Sequence, residues 1–290
     1  MRITVRGDEV LCSAFLQLCF ARTQVWNGQL WATKFHPNLP REYAFGSEPL
    51  RMARGKFITF EGGEGAGKST QARLLWQRLN RMGVTTELTR EPGGTHFAEA
   101  IRSILLDPSL SMRSIRSELL LFYAARADHL DLKIRPALEK GYWVICDRFS
   151  DSTRAYQGEI GGDENSRTIA ELDAIVVGAD QPDLTIILDV EPEIGLRRAV
   201  RRTYGSVNSQ SRLYAPDQLA FSFAPDRFEA LDVDFHKKVR TTYLTIAESE
   251  PTRCAVIESV GGITRVSDRV WDILVSRLAG ELPPTNGIAS

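Results

Sequence analysis

The sequence predicts an α/β fold, a parallel β-sheet with helices packed on both faces, and three observations carry that prediction. From Gly55 onward, short β-rich apolar runs alternate with segments of helical period, the pattern of strand–helix–strand units. The strongest runs, YWVICD (142–147) and DLTIILDV (183–190), are apolar almost throughout, as in strands covered on both sides. A chain of 290 residues, 43% of them hydrophobic, is long enough to bury such a core.

In chain order, KFITFEG (56–62) is the first strand candidate, and the segment after Lys68 places Ala72, Leu75, Leu79 and Met82 on one helix face. VTTEL (84–88) follows as a strand, then helices over Phe97–Leu106 and Ser117–Lys140. YWVICD and DLTIILDV are the third and fourth strands, with a helix over Ile169–Val177 between them. Helices over Pro192–Arg202 and Arg227–Ser249, the weaker strand CAVIES (254–259) and a helix over Ile263–Leu278 complete the series. The polar stretch Tyr204–Pro225 breaks this rhythm and reads as a mobile loop.

With 25% charged residues and a formal net charge of -1, nothing global favours binding to nucleic acid or an acidic membrane. The four cysteines, Cys12, Cys19, Cys146 and Cys254, form no CxxC pair and no zinc spacing. Together with the buried setting expected for Cys146, this points to a reduced, cytoplasmic protein. No apolar run has the length of a membrane-spanning helix. Residues 1–54 stand apart. VLCSAFLQLCFA (10–21), preceded by Arg2 and Arg6, looks like a signal-peptide core, but Asp8 and Glu9 oppose that reading. The expectation is an extension outside the catalytic unit, with Met52 as an alternative start running directly into the first strand.

The stretch FEGGEGAGKST (60–70) contains GxxxxGK[ST] in Gly62, Gly67, Lys68 and Ser69, between a strand and a helix as that motif requires. Its glycines let backbone N–H groups converge on phosphate oxygens, and the helix N-terminus adds its dipole. Residues Gly62, Gly63, Glu64, Gly65, Ala66, Gly67, Lys68, Ser69 and Thr70 are therefore expected to hold a nucleoside triphosphate, with Lys68 on the β- and γ-phosphates and Ser69 on Mg²⁺. The fold class becomes a P-loop NTPase, a five-stranded parallel sheet with flanking helices. NKxD, which GTPases need, and an LSGGQ-like signature are both absent from the sequence. One residue fits poorly. Glu64 places a negative charge inside a loop made for anions.

Three further motifs narrow the class: TREPGGT (89–95) after the second strand, LLFYAARADH (120–129), and DRF (147–149) at the end of the third strand. With EGGEGAGKST they strongly resemble the bacterial branch of the thymidylate kinase family, from about Lys56 to the C-terminal helix. The resemblance implies ATP-dependent phosphorylation of dTMP to dTDP, with Mg²⁺, in a homodimer that binds neither nucleic acid nor membrane. It implies the nucleoside monophosphate kinase-like form of the P-loop NTPase fold, with a lid segment at about 198–228 in a kinase domain over 55–290.

The resemblance also implies residue roles. Arg102 and Arg148 would grip the acceptor phosphate, a task suited to bidentate guanidinium groups, although a solvated helix face is the bland alternative for Arg102. Asp147 would lie near Mg²⁺ and the attacking oxygen, or else simply cap a turn. Phe122 would stack on thymine while Arg126, four residues on and on the same helix face, bonds the base. Ser152, Thr153 and Tyr156 would contact thymine and sugar, Tyr156 crowding a ribose 2′-hydroxyl, with Gln157 a weaker candidate. Arg90 is a nearby arginine that is either structural or functional. Arg198 and Arg202, also four apart, would reach the transferring phosphates, or form a solvated basic face. The segment Tyr204–Pro225 departs from the family's short lid, and Arg212 within it competes for the catalytic role. SVGG (259–262) gives no clear adenine signature. The implied role of Glu64 is to accept a hydrogen bond from the dTMP 3′-hydroxyl. Some family members carry a catalytic arginine where this sequence has Gly65, so here the missing charge is expected from the lid.

Two other classes compete. A deoxynucleoside kinase would need a general base near a 5′-hydroxyl, whereas two phosphate-holding arginines suit a monophosphate acceptor. An ATP-binding interaction protein without catalysis is disfavoured by the presence of both Lys68 and Asp147.

Overall fold

The computed structural model describes residues 23–26, 29–32, 53–107, 110, 114–205, 228 and 231–282, with backbone alone for 23–26, 29–32 and 202–205. The chain divides into two compact units, Met1–Ala53 and Arg54–Ser290. In the first, β1 (Thr23–Trp26) pairs antiparallel with β2 (Gln29–Ala32).

The second unit carries the five-stranded, all-parallel sheet that the apolar runs predict. Its strands are β3 (Phe57–Glu61), β4 (Thr86–Arg90), β5 (Trp143–Asp147), β6 (Leu184–Asp189) and β7 (Cys254–Glu258), in the spatial order β4-β5-β3-β6-β7. β3 and β5 are buried at every residue, which explains their uninterrupted apolar character. Register sets the site: Phe60 lies opposite Asp147 on one side, and Glu61 opposite Ile187 on the other. The carboxyl ends of β3 and β5 are therefore level, and the turns that leave them share one crevice, where ligands bind in sheets of this kind.

One face of the sheet buries Ile58, Phe60, Ile145, Ile186 and Leu188 against α1 (Lys68–Arg81) and α8 (Ile263–Leu278). α1 contributes Ala72, Leu75 and Leu79, spaced as one helical face. On the other face Phe57, Val144 and Cys146 pack with Leu130, Ile134 and Leu138. These come from the segment that continues α3 (Ile115–His129) through a π-turn (Leu130–Ile134) into α4 (Arg135–Glu139). A helix over Ser117–Lys140 was expected. The π-turn and Pro136 at the start of α4 explain why it is not one regular helix.

α2 (His96–Leu106) is capped by the Thr95 hydroxyl, which accepts from Ala98 N. The largest departure from expectation follows β5. DSTRAYQG is helical, within α5 (Ser150–Val176), and not a loop leading to a helix at Ile169. α5 breaks at Gly162, at φ 63° and ψ -152°. The serines and glycines that hid the helix are offset by tertiary burial of Thr153, Ala155, Tyr156 and Gln157. α6 (Pro192–Gly205) and α7 (Val233–Ser249) complete the unit. α7 begins at Val233 and not at Arg227, because Asp232 caps it by accepting from Phe235 N. Among the described residues no helix is long and apolar enough to cross a membrane. The loop expected over Tyr204–Pro225, with Arg212, lies outside the described residues except for the backbone of its first two positions.

Candidate active site

The loop Gly62–Gly67 leaves β3 and delivers the chain into α1. Gly67, at the N-cap, has no side chain to bond the first amides of α1, so those N–H groups and the helix dipole are available to an anion. Lys68 is buried and donates to the carbonyls of Gly62 (3.1 Å) and Gly63 (2.8 Å). Burial, and after it the Arg148 guanidinium, lower its ammonium to about 8. Beside it the Ser69 hydroxyl donates to Asp147 Oδ2, which joins the loop to the end of β5. Two hard oxygen ligands thus stand together, a donor set that fits Mg²⁺ alongside phosphate and water oxygens. Among the described residues no group of three His, Cys, Asp or Glu side chains forms a metal site.

Gly65 is at φ 62°, and a Cβ there would sit 2.0 Å from the carbonyl oxygen of Gly195 in α6. The loop and the first turn of α6 are in backbone contact at this point, leaving no room for a side chain.

The misfit of Glu64 has a geometric answer. Its Oε1 accepts from Arg148 Nη2 (2.6 Å) and from the Tyr156 hydroxyl (2.7 Å). Burial alone would raise its carboxyl, but Arg148, Lys68 and the Tyr156 hydroxyl together hold it down at about 2. Glu64 is the counter-ion of the two cations expected to meet phosphate. Arg148 sits at φ 71°, the only non-glycine residue among those described with positive φ. Besides Glu64 it donates to Gly62 O (3.3 Å), Ser152 Oγ (3.1 Å), the Tyr156 hydroxyl (3.3 Å) and the Tyr243 hydroxyl (3.4 Å).

Glu61, the last residue of β3, was not singled out in the sequence. It is fully buried and accepts from Phe149 N (2.7 Å), Ser152 Oγ (2.6 Å) and the Tyr243 hydroxyl (3.0 Å). Burial, then the nearby Asp151, push its carboxyl up to about 7. The available signal was a carboxylate closing an otherwise apolar strand.

From this floor a cleft open to solvent runs between α3 and α5; its walls include Glu64, Glu91, Pro92, Phe122, Arg126, Arg148, Thr153, Tyr156 and Phe228. At the far end Arg126 is 2% exposed, its Nε donating to Glu91 Oε2 (2.8 Å) and its Nη2 to Thr153 Oγ1 (3.0 Å). Its Nη1 is buried with no hydrogen-bond partner in the protein. Glu91 also accepts from His129 Nδ1–H (3.0 Å), which leaves Nε2 to accept from the Thr89 hydroxyl (2.7 Å). Gly94 makes room for that ring: a Cβ there would lie 2.4 Å from His129 Nε2. TREPGGT is therefore, in large part, a cradle for the end of α3. Neither Glu91 nor His129 carried a role in the sequence reading.

The structure thus brings Glu64, Phe122, Arg126, Arg148, Ser152, Thr153 and Tyr156 to one cleft, with Lys68, Ser69 and Asp147 at its floor. Arg102 donates to Pro92 O (2.9 Å) beside a wall residue, and Arg90 bonds Glu99 (3.1 and 3.3 Å). Gln157 donates to the buried Glu118 (2.9 Å). Arg198 donates to the carbonyl of Ser259 (3.0 Å), whose hydroxyl in turn donates to Ala66 O (2.6 Å). It therefore stands on the far flank of the phosphate loop, and the side chain of Arg202 lies outside the described residues.

The family model described as thymidylate kinase matches residues 60–270. A thymidylate kinase of Nitrobacter hamburgensis is 47% identical over 228 residues, covering 78% of this chain and 91% of that protein. One from Afipia carboxidovorans is 45% identical over 233 residues, covering 80% and 94%. The crystal structure of thymidylate kinase from Ehrlichia chaffeensis superimposes with a TM-score of 0.56 at 34% identity, covering 76% of this chain and 98% of that one.

Proposed function

The chain belongs to the thymidylate kinase family, and from that premise we propose how its residues act in the reaction it catalyses, ATP-dependent phosphorylation of dTMP to dTDP in dTTP synthesis. An oxygen of the dTMP phosphate attacks the γ-phosphorus of ATP in line. The bond to the β–γ bridging oxygen breaks, and ADP leaves. The attacking phosphate is already ionised near neutral pH, so the protein's tasks are alignment and charge neutralisation rather than proton abstraction.

The loop Gly62–Thr70 holds the ATP phosphates, and Lys68 exchanges its two loop carbonyls for phosphate oxygens. Ser69 and Asp147 would hold Mg²⁺, which would neutralise charge on the phosphate oxygens when bound. Arg148, with Arg102, grips the dTMP phosphate. Phe122 stacks on thymine, while Ser152, Thr153 and Tyr156 line the side of the cleft taken by sugar and base. Glu64 accepts from the 3′-hydroxyl through Oε2, so one carboxylate touches the acceptor and tethers the arginine that binds it. Arg198 and Arg202 supply charge from the lid helix. The kinase domain is 55–290, its lid about 198–228, and residues 1–54 are an extension outside it. Exposed Phe97, Ile104 and Leu120 on α2 and α3 support a homodimer through that face. The free, buried Cys146 and Cys254 suit the cytoplasm.

The observation that carries this reading is Arg126. A buried guanidinium, fixed at Nε and Nη2 and unpartnered at Nη1, asks for one acceptor at the base end of the cleft. A thymine carbonyl is such an acceptor, whereas the amino group of cytosine would oppose donor with donor. ADP release measured with dTMP, dUMP, dCMP and thymidine as acceptors tests it. Turnover is expected with dTMP and at least about 100-fold less with dCMP. Equal use of dCMP, or preference for thymidine, would overturn the assignment.

A further inference from the structure

Glu61 has no part in the mechanism above, although it lies directly beneath it. It closes β3 one residue before the phosphate loop, fully buried, in a strand whose other members are three apolar residues and a threonine. Of the three hydrogen bonds it accepts, two come from the turn and helix that carry Arg148 and the third from Tyr243 of α7. Oε1 accepts from Phe149 N, the amide directly after the left-handed arginine. Phe149 is the N-cap of α5 and has no capping side chain. A glutamate often reaches back to an N-cap amide from within its own helix; here it reaches across from the neighbouring strand.

The second oxygen acts on the guanidinium. Oε2 accepts from the hydroxyls of Ser152 (2.6 Å) and Tyr243 (3.0 Å). Those hydroxyls lie 3.0 Å apart, and each accepts from Arg148 Nη1. One carboxylate thus fixes the backbone before which the arginine stands and orients both oxygens that receive its side chain. The left-handed backbone at position 148 is a state a non-glycine residue holds only when its surroundings over-determine it, and Glu61 bonds both the next amide and the oxygens that receive the guanidinium.

We propose that Glu61 is a positioning residue for the acceptor phosphate: it holds the turn at Arg148 and, through Ser152 and Tyr243, sets the direction of the guanidinium. Its burial and the proximity of Asp151, which raise its carboxyl to about 7, show that the group sits here against its own solvation. The inference rests on the assignment of Arg148 to the dTMP phosphate, and it predicts a selectivity that a purely structural role would not produce. Loss of Glu61 should weaken binding of the phosphate and spare binding of the nucleoside.

Calorimetric titration of the full-length protein with dTMP and with thymidine decides the matter. Glu61→Gln keeps the volume but turns an amide N–H₂ toward donors. It is expected to weaken dTMP about 10- to 100-fold, and thymidine less than about 3-fold. Tyr243→Phe removes one of the two relaying hydroxyls and should show the same selectivity at about 3- to 10-fold. It decides by the same ratio if the glutamine variant does not fold. Equal weakening of both ligands, or an unchanged ratio in both variants, overturns the inference. A wild-type protein that binds dTMP no more tightly than thymidine would instead overturn the Arg148 assignment on which it rests.

Discussion

At the base end of the cleft Arg126 has Nε on Glu91 and Nη2 on Thr153, with Nη1 left over. At the phosphate end Arg148 has all its amino groups engaged, by Glu64, Ser152, Tyr156, Tyr243 and the carbonyl of Gly62. In the proposed function the first arginine donates its remaining N–H group to one neutral carbonyl. The second is held in reserve by partners that a phosphate must displace, and three of those bonds are long, at 3.3 to 3.4 Å. A phosphate brings two negative charges and can outcompete hydroxyls and a carbonyl; a base cannot. The proposed function thus uses one kind of side chain in two ways, to select the base by rigidity and to capture the phosphate by exchange.

The contrast is most easily broken at Glu91. Glu91→Ala would leave Arg126 and His129, at 2% and 0% exposure, without their shared carboxylate. A loss of about 3–5 kcal/mol in unfolding free energy is expected, read by urea denaturation. A loss below about 1 kcal/mol would show that the base end is not rigid in the way proposed.

The two glutamates at the phosphate end sharpen the comparison, because their pH dependences have opposite signs. Glu64 is lowered from 4.5 to about 2, so the native state binds fewer protons than the unfolded chain between those values. The stability it contributes is complete above about 4.5 and is lost as pH falls toward 2. Glu61 is raised from 4.5 to about 7, so the native state holds the extra proton, and stability falls as pH rises through that interval. Glu64→Gln should flatten the acid limb of a stability–pH curve, and Glu61→Gln the limb between about 4.5 and 7. Identical curves for the two variants would contradict the opposed environments.

The smallest effect is expected at Tyr156, whose hydroxyl donates to Glu64. Tyr156→Phe removes that bond while Arg148 still pairs with the carboxylate, so about 1 kcal/mol of stability should go. A loss comparable to that of Glu91→Ala would mean that the phosphate end is as rigid as the base end.

Much of this was legible in the sequence, for identifiable reasons. The buried strands show as apolar runs, and the loop glycines, Lys68, Ser69, Asp147 and Arg148 stand in contiguous motifs. What escaped depends on distant partners or on overridden propensity. Glu61 gains its meaning from Tyr243, 182 residues away. His129 fell inside an expected helix with no role assigned, and only the fold shows it bonded to Glu91 and Thr89. The start of α5 was hidden because serine, aspartate and glycine are poor helix formers; burial of its Tyr156 face, which no local rule reports, settles the outcome.

The contact between Gly65 and Gly195 bears on how members of this family can be redesigned. The two glycines are reciprocal: a Cβ at 65 would sit 2.0 Å from the carbonyl oxygen of 195, and one at 195 would sit 2.2 Å from that of Glu64. Neither position takes a side chain while the two backbones stay in contact. Grafting an arginine at position 65 into this chain would therefore require the first turn of α6 to move away from the loop, because no substitution at position 195 removes its backbone carbonyl.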